Sequence, residues 1–171
     1  MKRPNIFCLG FLLGLAGSAW ASSAFDEEPV IWREAEVVFP AVPAAEGMQA
    51  FFVSAAASNR FLVDPASITV GGDGVVRYVL LVETPGGARN MTFEGMRCAS
   101  REKRIYASAR RDGSWSPSRN EAWEKIRNIA PNRQHAALFL DYFCPGGVIV
   151  RTPDEARDAL NKGGHPSNMT W

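Results

Sequence analysis

The chain has 171 residues, with 19 lysines and arginines against 18 aspartates and glutamates and a formal net charge of +1. Because the numbers of basic and acidic residues are nearly equal, the composition indicates neither the basic surface that binds nucleic acid nor an acidic solvating tail. The length suits one domain. We therefore expect no nucleic-acid partner.

The first residues have the pattern of a secretory signal peptide. Lys2 and Arg3 form a basic start, residues 6–16 are an apolar run too short to span a bilayer, and residues 19–21 offer a small-residue cleavage site. Cleavage is expected after Ala21, with Ala24 as the second choice. No other long apolar segment follows, so we predict no transmembrane segment after cleavage.

Composition divides the chain into four predicted parts. A signal peptide (1–21) is followed by an arm or linker (22–48), a single α+β domain (49–166) and a short tail (167–171). The arm is rich in Pro and Ala and shows no persistent apolar period, whereas the apolar runs typical of strands begin after Gln49.

Cysteine usage favours a disulfide. Cys8 lies inside the apolar run and is expected to leave with the signal peptide, so Cys98 and Cys144 remain as an even pair in an exported protein. The alternative is free thiols or a metal site completed by His135 and His165, but this spacing matches no usual zinc site. We expect no metal and no cofactor.

Period-two patterns predict an antiparallel sheet of about five or six strands. The strand at 75–84 is apolar on both alternating sets, which predicts cover on both faces. Its partner at 89–98 alternates, which places Asn90, Thr92 and Glu94 on a polar face. Other strands are predicted at 50–53, 61–64, 68–70 and 104–110, with Asp64-Pro65-Ala66-Ser67 as a turn and Pro85-Gly86-Gly87 joining the long hairpin.

Helical spacing appears only in the last third of the chain. Residues 132–143 carry apolar side chains at intervals of three and four after Asn132, a suitable N-cap. A second helix is predicted at 153–162, with Thr152 as cap, Pro153 in the first turn, Glu155 as capping-box partner and Gly163 as stop. The fold class is therefore α+β, with one main helix packed on the sheet and one disulfide.

Four arginines are the candidate ligand-binding residues, since guanidinium groups bind carboxylate, phosphate or sulfate in a bidentate manner. They belong to a larger arginine-rich stretch that also holds Arg110, Arg111, Arg119 and Arg127. The competing interpretation is a solvated face on which arginines pair with nearby glutamates. The four arginines are Arg97, Arg101, Arg104 and Arg133, and His135 is a further candidate ligand-binding residue.

His135 could perform acid–base chemistry with a neighbouring Asp141 or Tyr142, although on a helix only Tyr142 would share its face. A half-buried structural histidine is the simpler interpretation, and no nucleophile motif accompanies it. We assign no catalytic residue. Trp115, Trp123 and Tyr106 could form an aromatic platform for a ligand, or simply belong to the core.

Several segments resemble the cryptic neisserial protein family (the CNP1-like group) of exported betaproteobacterial proteins. The likeness covers roughly residues 32–166 and implies an exported protein of a Gram-negative bacterium, located in the periplasm or at the cell surface or secreted, with no assigned activity. The segments that carry it are Asn59–Asp64, Val75–Tyr78, Gly87–Cys98, Asn132–Leu138 and Phe143–Gly147.

A more distant likeness of layout is to surface-adhesin protein E, which shares an Asp–x–x–Ser-Ile turn (Asp64 to Ile68 here), a long hairpin and a strand that ends in Cys. It implies binding of host matrix proteins and plasminogen.

Three functions follow as hypotheses. The first is a non-enzymatic module that binds a protein or glycan of the cell envelope through an exposed sheet face or the arginine-rich edge. The second binds a small anion and requires a closed pocket lined by arginines that lack carboxylate partners. The third is a hydrolase and requires a carboxylate or hydroxyl within reach of His135.

Overall fold

The computed structural model of the protein describes residues 31–168. The predicted signal peptide, Cys8, the first part of the predicted arm and the last three residues lie outside this range.

Seven antiparallel strands form one sheet, in which consecutive strands lie side by side in the order β1 to β6 and β7 also pairs with β5. The strands are β1 (Gln49–Ala50), β2 (Arg60–Val70), β3 (Val75–Glu83), β4 (Arg89–Arg97), β5 (Glu102–Ala109), β6 (Trp115–Pro117) and β7 (Glu124–Lys125). Short turns are sufficient to connect antiparallel neighbours, and segments that contain Gly supply them between β2 and β3, β3 and β4, and β5 and β6. The predicted fold class is confirmed.

The predicted turn at residues 64–67 is wrong, because β2 continues through it as an irregular strand whose register with β3 shifts between Asp64 and Thr69. The local chemistry of a turn is nevertheless present. Asp64 Oδ1 accepts a hydrogen bond from the Ala66 N–H (3.1 Å) and the Ser67 hydroxyl donates to the Asp64 carbonyl (2.8 Å). The Ser67 hydroxyl also accepts from the Val79 N–H of β3 (2.9 Å), which keeps the bulged strand attached to the sheet.

Strand β3 is covered on both faces, as its sequence predicted. Val76, Tyr78 and Leu80 contribute to a core beneath the helices, which we call the helix face. Val79 and Leu81 contribute to a second core on the opposite side, the arm face. The sequence predicted a polar face of β4 formed by Asn90, Thr92 and Glu94. This prediction is wrong for Thr92 and Glu94, which point into the helix-face core and are 5% and 2% exposed.

The helix predicted at 132–143 is present, but it is not a regular α-helix. An α-helical turn, α1 (Arg133–Ala137), continues directly into a π-helical segment, Leu138–Phe143, in which the Cys144 N–H donates to the Phe139 carbonyl (3.0 Å). The predicted N-cap bond is absent, since the Asn132 side chain makes no capping hydrogen bond.

Helix α2 (Pro153–Lys162) begins and ends as predicted. The Thr152 hydroxyl accepts from the Glu155 N–H (3.1 Å), and Gly163 ends the helix in the left-handed conformation (φ 76°). In a capping box, the Glu155 carboxylate would accept a hydrogen bond from the N–H of the cap residue, Thr152. It accepts instead from the N–H of Arg151 (2.7 Å), one residue earlier.

The predicted disulfide between Cys98 and Cys144 is confirmed, with Cα atoms 5.6 Å apart. It connects the residue after β4 to the residue after the π-helical segment, and both cysteines are buried. The helix predicted to pack on the sheet is therefore attached to it covalently.

Residues 32–48, which we call the arm, lie across the opposite face of the sheet. Met48 and Val37 pack into the arm-face core, Phe39 lies against Phe93 (ring centroids 5.5 Å apart), and the Trp115 indole donates to the Pro40 carbonyl (2.7 Å). The first hypothesis offered the exposed face of the sheet as its binding surface; the arm instead covers that face. No helix within residues 31–168 is long and apolar enough to cross a bilayer.

Candidate functional site

Two of the four predicted arginines hold the arm in place. The Arg97 guanidinium lies 3.9 Å from the centre of the Trp32 ring and pairs with Glu102 (3.7 Å). Arg104 pairs with Glu34 of the arm (2.8 Å). Both guanidinium groups thus have an acidic partner within the protein and need no ligand to balance their charge. The solvated-face interpretation predicted such pairing with glutamates.

Arg101 and Arg133 have no carboxylate partner among residues 31–168. Arg101 occupies the left-handed region (φ 53°), which is uncommon for a residue with a side chain, and its guanidinium lies 5.2 Å from the Phe139 ring centre. Arg133 stands at the start of α1, on a different part of the molecule from β5 and Arg104. The four predicted arginines therefore do not converge on one pocket.

Sequence reasoning missed an ionic cluster on the arm face, centred on Arg77 and Glu34. Arg77 pairs with Asp73 (2.6 Å) and with Glu34 (3.5 Å). Glu34 also accepts from the Tyr106 hydroxyl (2.5 Å). A side chain at Gly95 would collide with that hydroxyl, so the glycine allows Tyr106 to lie across β4 and reach the arm.

The charges in this cluster stabilise one another. Burial alone would raise the pKa of Asp73 and lower that of Arg77, but their mutual hydrogen bonds and charges outweigh it, so the pKa of Asp73 is lowered and that of Arg77 is raised. Asp73 also accepts from the Ala35 N–H (2.9 Å), and its carbonyl accepts from the Trp32 indole (2.7 Å). The cluster is an anchor for the arm.

The helix face contains the strongest candidate for acid–base chemistry. His135 Nε2 lies 2.8 Å from Glu94 Oε2, and the Tyr78 hydroxyl donates to the same oxygen (3.2 Å). The Thr92 hydroxyl donates to Glu94 Oε1 (2.6 Å). Tyr78 is the register partner of Glu94 on β3, so the sheet places these groups together before His135 approaches from α1.

The Glu94 carboxyl is stabilised in its ionised form. Burial raises its pKa, but His135, Thr92 and Lys103 more than compensate and hold it below its ordinary value near 4.5. Burial and the neighbouring Glu94 charge raise the pKa of Tyr78. A carboxylate beside His135 is the condition that the hydrolase hypothesis set, and the structure meets it.

The Glu94–His135 pair is not accessible to a substrate. Glu94 is 2% and His135 5% exposed, and His135 Nδ1 is buried with no hydrogen-bond partner in the described chain. A general acid or base must lie within hydrogen-bond reach of its substrate, directly or through one water. The arrangement instead suits a buried structural hydrogen-bonded pair that ties α1 to β4.

Arg133 lies between two adjoining open cavities, which together we call the Arg133 groove. The first is about 190 Å³ and includes Ser58 and Asn59 in its lining. The second is about 210 Å³ and includes Asp141 and Ser54, whose buried hydroxyl has no partner within residues 31–168. Val53 and Arg133 line both.

One large apolar side chain lines the Arg133 groove, and two more belong to residues next to its lining residues in the chain. Leu140 lines the second cavity and is 41% exposed, while Phe52 and Ile129, 67% and 49% exposed, adjoin the lining residues Val53 and Asn128 in the chain. Burial raises the pKa of Asp141, which forms no ion pair with Arg133. The groove thus combines one unpaired guanidinium with exposed apolar surface.

The aromatic platform does not form. Tyr106 and Trp115 both pack against Phe93 in the arm-face core (ring centroids 5.2 Å and 6.1 Å), whereas Trp123 meets Trp32 edge to face (5.8 Å). Within residues 31–168, no three His, Cys, Asp or Glu side chains come together as a metal site would require.

Comparison with known proteins identifies the family. The model of the CNP1-like family matches residues 27–161, a span that contains all seven strands, both cysteines of the disulfide and Arg133. The chain belongs to the CNP1-like family. The resemblance drawn from its sequence motifs is confirmed.

Among curated proteins, this CNP1-like chain is similar to "Cryptic neisserial protein 1" of Neisseria gonorrhoeae, with 29% identity over 105 residues. The alignment covers 54% of this chain and 52% of the relative, so the chain spans about half the length of the curated relative it matches. No solved structure matches, and the likeness to surface-adhesin protein E stays a resemblance of layout.

Proposed function

We propose that the protein is an exported, non-enzymatic binding module of the bacterial envelope, which holds a segment of a partner protein in the Arg133 groove. Export is supported by the signal-peptide pattern of residues 1–21 and by the disulfide, since such bonds persist in oxidising compartments.

The observation that carries the proposal is the state of Arg133. The side chain is half-buried between two cavities and pairs with no carboxylate among the described residues. Arg97 and Arg104, by contrast, each have an acidic partner. A partly desolvated guanidinium without a partner favours an incoming carboxylate, and a bidentate pair is the strongest it can form.

The division of the groove favours a protein segment over a compact metabolite. It consists of two small cavities, of about 190 and 210 Å³, with Arg133 in the lining of both. Two such cavities on either side of Arg133 suit two neighbouring side chains of a peptide. The Asp141 carboxylate in the second cavity complements a peptide N–H or a cationic side chain, and exposed Leu140 and Phe52 complement apolar ones.

A small anion is the second candidate. The first cavity combines Arg133 with the polar side chains of Ser58 and Asn59 and has no carboxylate in its lining, which suits phosphate, sulfate or a small carboxylic acid. Hydrolysis by His135 is not proposed, because the burial of the His135–Glu94 pair leaves no contact with a substrate.

Site-specific photo-crosslinking in cells that make the protein tests the first proposal. A photoreactive amino acid replaces Leu140 or, separately, Phe52 in the full chain. We expect one adduct of defined mass from both positions, and its loss when Arg133→Glu is added. The matched charge control is Arg119→Glu, an exposed arginine outside the groove.

The position control is Val38, which is 77% exposed on the arm. Equal crosslinking from Val38, or adducts that survive Arg133→Glu, would overturn the proposal. If no adduct forms, but phosphate or sulfate raises the melting temperature of the wild type and not of Arg133→Gln, the groove binds a small anion instead.

A further inference from the structure

A separate cavity lies on the arm face, and none of its lining residues belongs to the Arg133 groove. It is about 280 Å³ in volume. Leu81 of β3, Met91 of β4 and Ala109 of β5 form its apolar floor, and Val42 and Ala45 of the arm cover it. Leu81 and Met91 are register partners, so the floor runs across adjacent strands.

The sequence of the arm explains why the space is open. Phe39 and Met48 contribute large side chains to the arm face, but residues 41–47, Ala-Val-Pro-Ala-Ala-Glu-Gly, offer mostly small ones between them. Protein interiors normally pack at the density of organic crystals, so small residues above the half-buried Met91 leave apolar surface that other atoms can cover.

Three arginines surround this apolar cavity: Arg89, Arg110 and Arg111. Arg89 pairs through Nε with Glu83 (2.9 Å), which Arg60 also contacts (3.3 Å). Arg110 donates to the Ser116 hydroxyl (3.2 Å).

Negative charge near these arginines is limited. Glu83 is shared between two arginines, and the exposed Asp112 lies near Arg110, which helps to lower the pKa of Asp112 after its hydrogen bonds with Ser114. Arg111 has no acidic partner among residues 31–168. Positive charge therefore exceeds negative charge at the mouth of an apolar cavity.

We propose that this cavity binds a medium-chain carboxylate, with its alkyl chain on the Leu81–Met91–Ala109 floor and its carboxylate at Arg110 and Arg111. An apolar cavity of about 150 Å³ holds benzene. The same volume per non-hydrogen atom gives room for about eleven non-hydrogen atoms in the cavity on the arm face. Octanoate, with about ten, fits that size. The two acyl chains of a phospholipid do not, so the ligand is a free acid rather than a lipid held in a bilayer.

The test is calorimetric titration of the mature protein, with the disulfide intact, against octanoate. We expect saturable one-to-one binding by octanoate, none by acetate, which lacks the chain, and at least tenfold weaker binding by octanol, which lacks the charge. Arg111→Gln should weaken octanoate binding about three- to tenfold, since it removes one charge-assisted contact. Arg119→Gln, the matched exposed arginine, should leave binding unchanged.

Ala45→Leu fills the cavity from the arm and should abolish binding. If that variant does not fold, Arg111→Gln still decides the matter, since its exposed side chain makes no ionic contact in the described structure. Equal binding of octanoate and octanol, no saturable binding, or a loss caused by Arg133→Gln instead of Arg111→Gln would each overturn the inference. The last result would place the ligand in the Arg133 groove.

Discussion

On one face of the sheet, the helical segment 133–143 is attached by a disulfide and by a buried carboxylate–imidazole pair. On the other face, an arm with only a short 3-10 turn as regular structure is attached by side-chain packing and by an ionic cluster around Glu34. Cys98–Cys144 and Glu94–His135 both join β4 to the α1 region. On the arm face, Glu34 contacts Arg77, Arg104 and Tyr106.

This difference implies unequal local stability. The arm contributes fewer side chains to the core than the helix face does, and its regular backbone bonds are limited to the turn at Ala45–Gly47. Such a segment opens at a lower free energy than a packed core. We therefore expect the helix face to unfold together with the sheet, and the arm to detach first. Each of the following variants weakens an interaction on the helix face or on the arm face.

Glu94→Ala should have the largest effect, a loss of about 3–5 kcal/mol in the free energy of unfolding. The variant leaves three buried groups without their shared acceptor: His135, Tyr78 and Thr92. Urea unfolding followed by circular dichroism measures the loss. The matched control is Glu121→Ala, whose side chain is 83% exposed and whose ion pair with Arg104 is long (3.9 Å); it should change stability by less than about 0.5 kcal/mol.

The same pair predicts a pH dependence. Because the pKa of Glu94 in the folded protein is below its ordinary value near 4.5, its stabilisation is fully present above that pH. It is lost as the pH falls through the lower folded value. The difference in stability between wild type and Glu94→Gln should therefore stay constant from pH 7 to about pH 4.5 and decrease at lower pH. A difference that stays constant below pH 4.5 would show that the Glu94 charge does not contribute.

Cys98→Ser should cost about 2–5 kcal/mol, and Cys144→Ser the same. The bond closes a loop with a sequence separation of 46, for which the chain-entropy relation gives about 4 kcal/mol. The double variant should lose no more than either single one, because one bond accounts for both effects. Additive losses in denaturant unfolding would contradict this.

Glu34→Ala should weaken attachment of the arm by about 1.5–3 kcal/mol, the range for hydrogen bonds to a charged group. Hydrogen exchange should accelerate at the Ala35 amide, which bonds to Asp73, and stay unchanged at the Val79 amide of β3, which bonds to Ser67 of β2. Glu36→Ala removes an exposed neighbour and should change neither. Equal acceleration at both amides would mean that arm and sheet open as one unit.

The parts of the fold that local patterns specify could be predicted from the sequence. The hairpin at Pro85-Gly86-Gly87, helix α2 with Thr152 and Gly163, and the pairing of two remaining cysteines all depend on short-range rules or on counting. The burial of β3 was also predictable, because both of its alternating sets are apolar.

The candidate sites depended on contacts distant in sequence. Alternation marked Glu94 as a surface residue, since nothing local shows that α1 covers it and that His135, 41 positions away, is its partner. Arg104 was named as a ligand-binding candidate, but its partner Glu34 lies 70 positions away in a segment without any pattern. The apolar cavity beneath the arm was missed because it results from small residues of the arm, and small residues form no sequence pattern that predicts a cavity.

The two helix starts provide the smallest and most selective comparison, within the helix face itself. Thr152→Ala should cost about 1 kcal/mol, because its hydroxyl accepts from the Glu155 N–H at the start of α2. Asn132→Ala should cost less than about 0.5 kcal/mol, because Asn132 caps nothing although its sequence position predicted it. Thermal or urea unfolding of the pair measures both values. Equal losses would mean that α1 depends on its own cap. The expected inequality means that α1 is held by the contact of His135 with Glu94, and the start of α2 by its own cap.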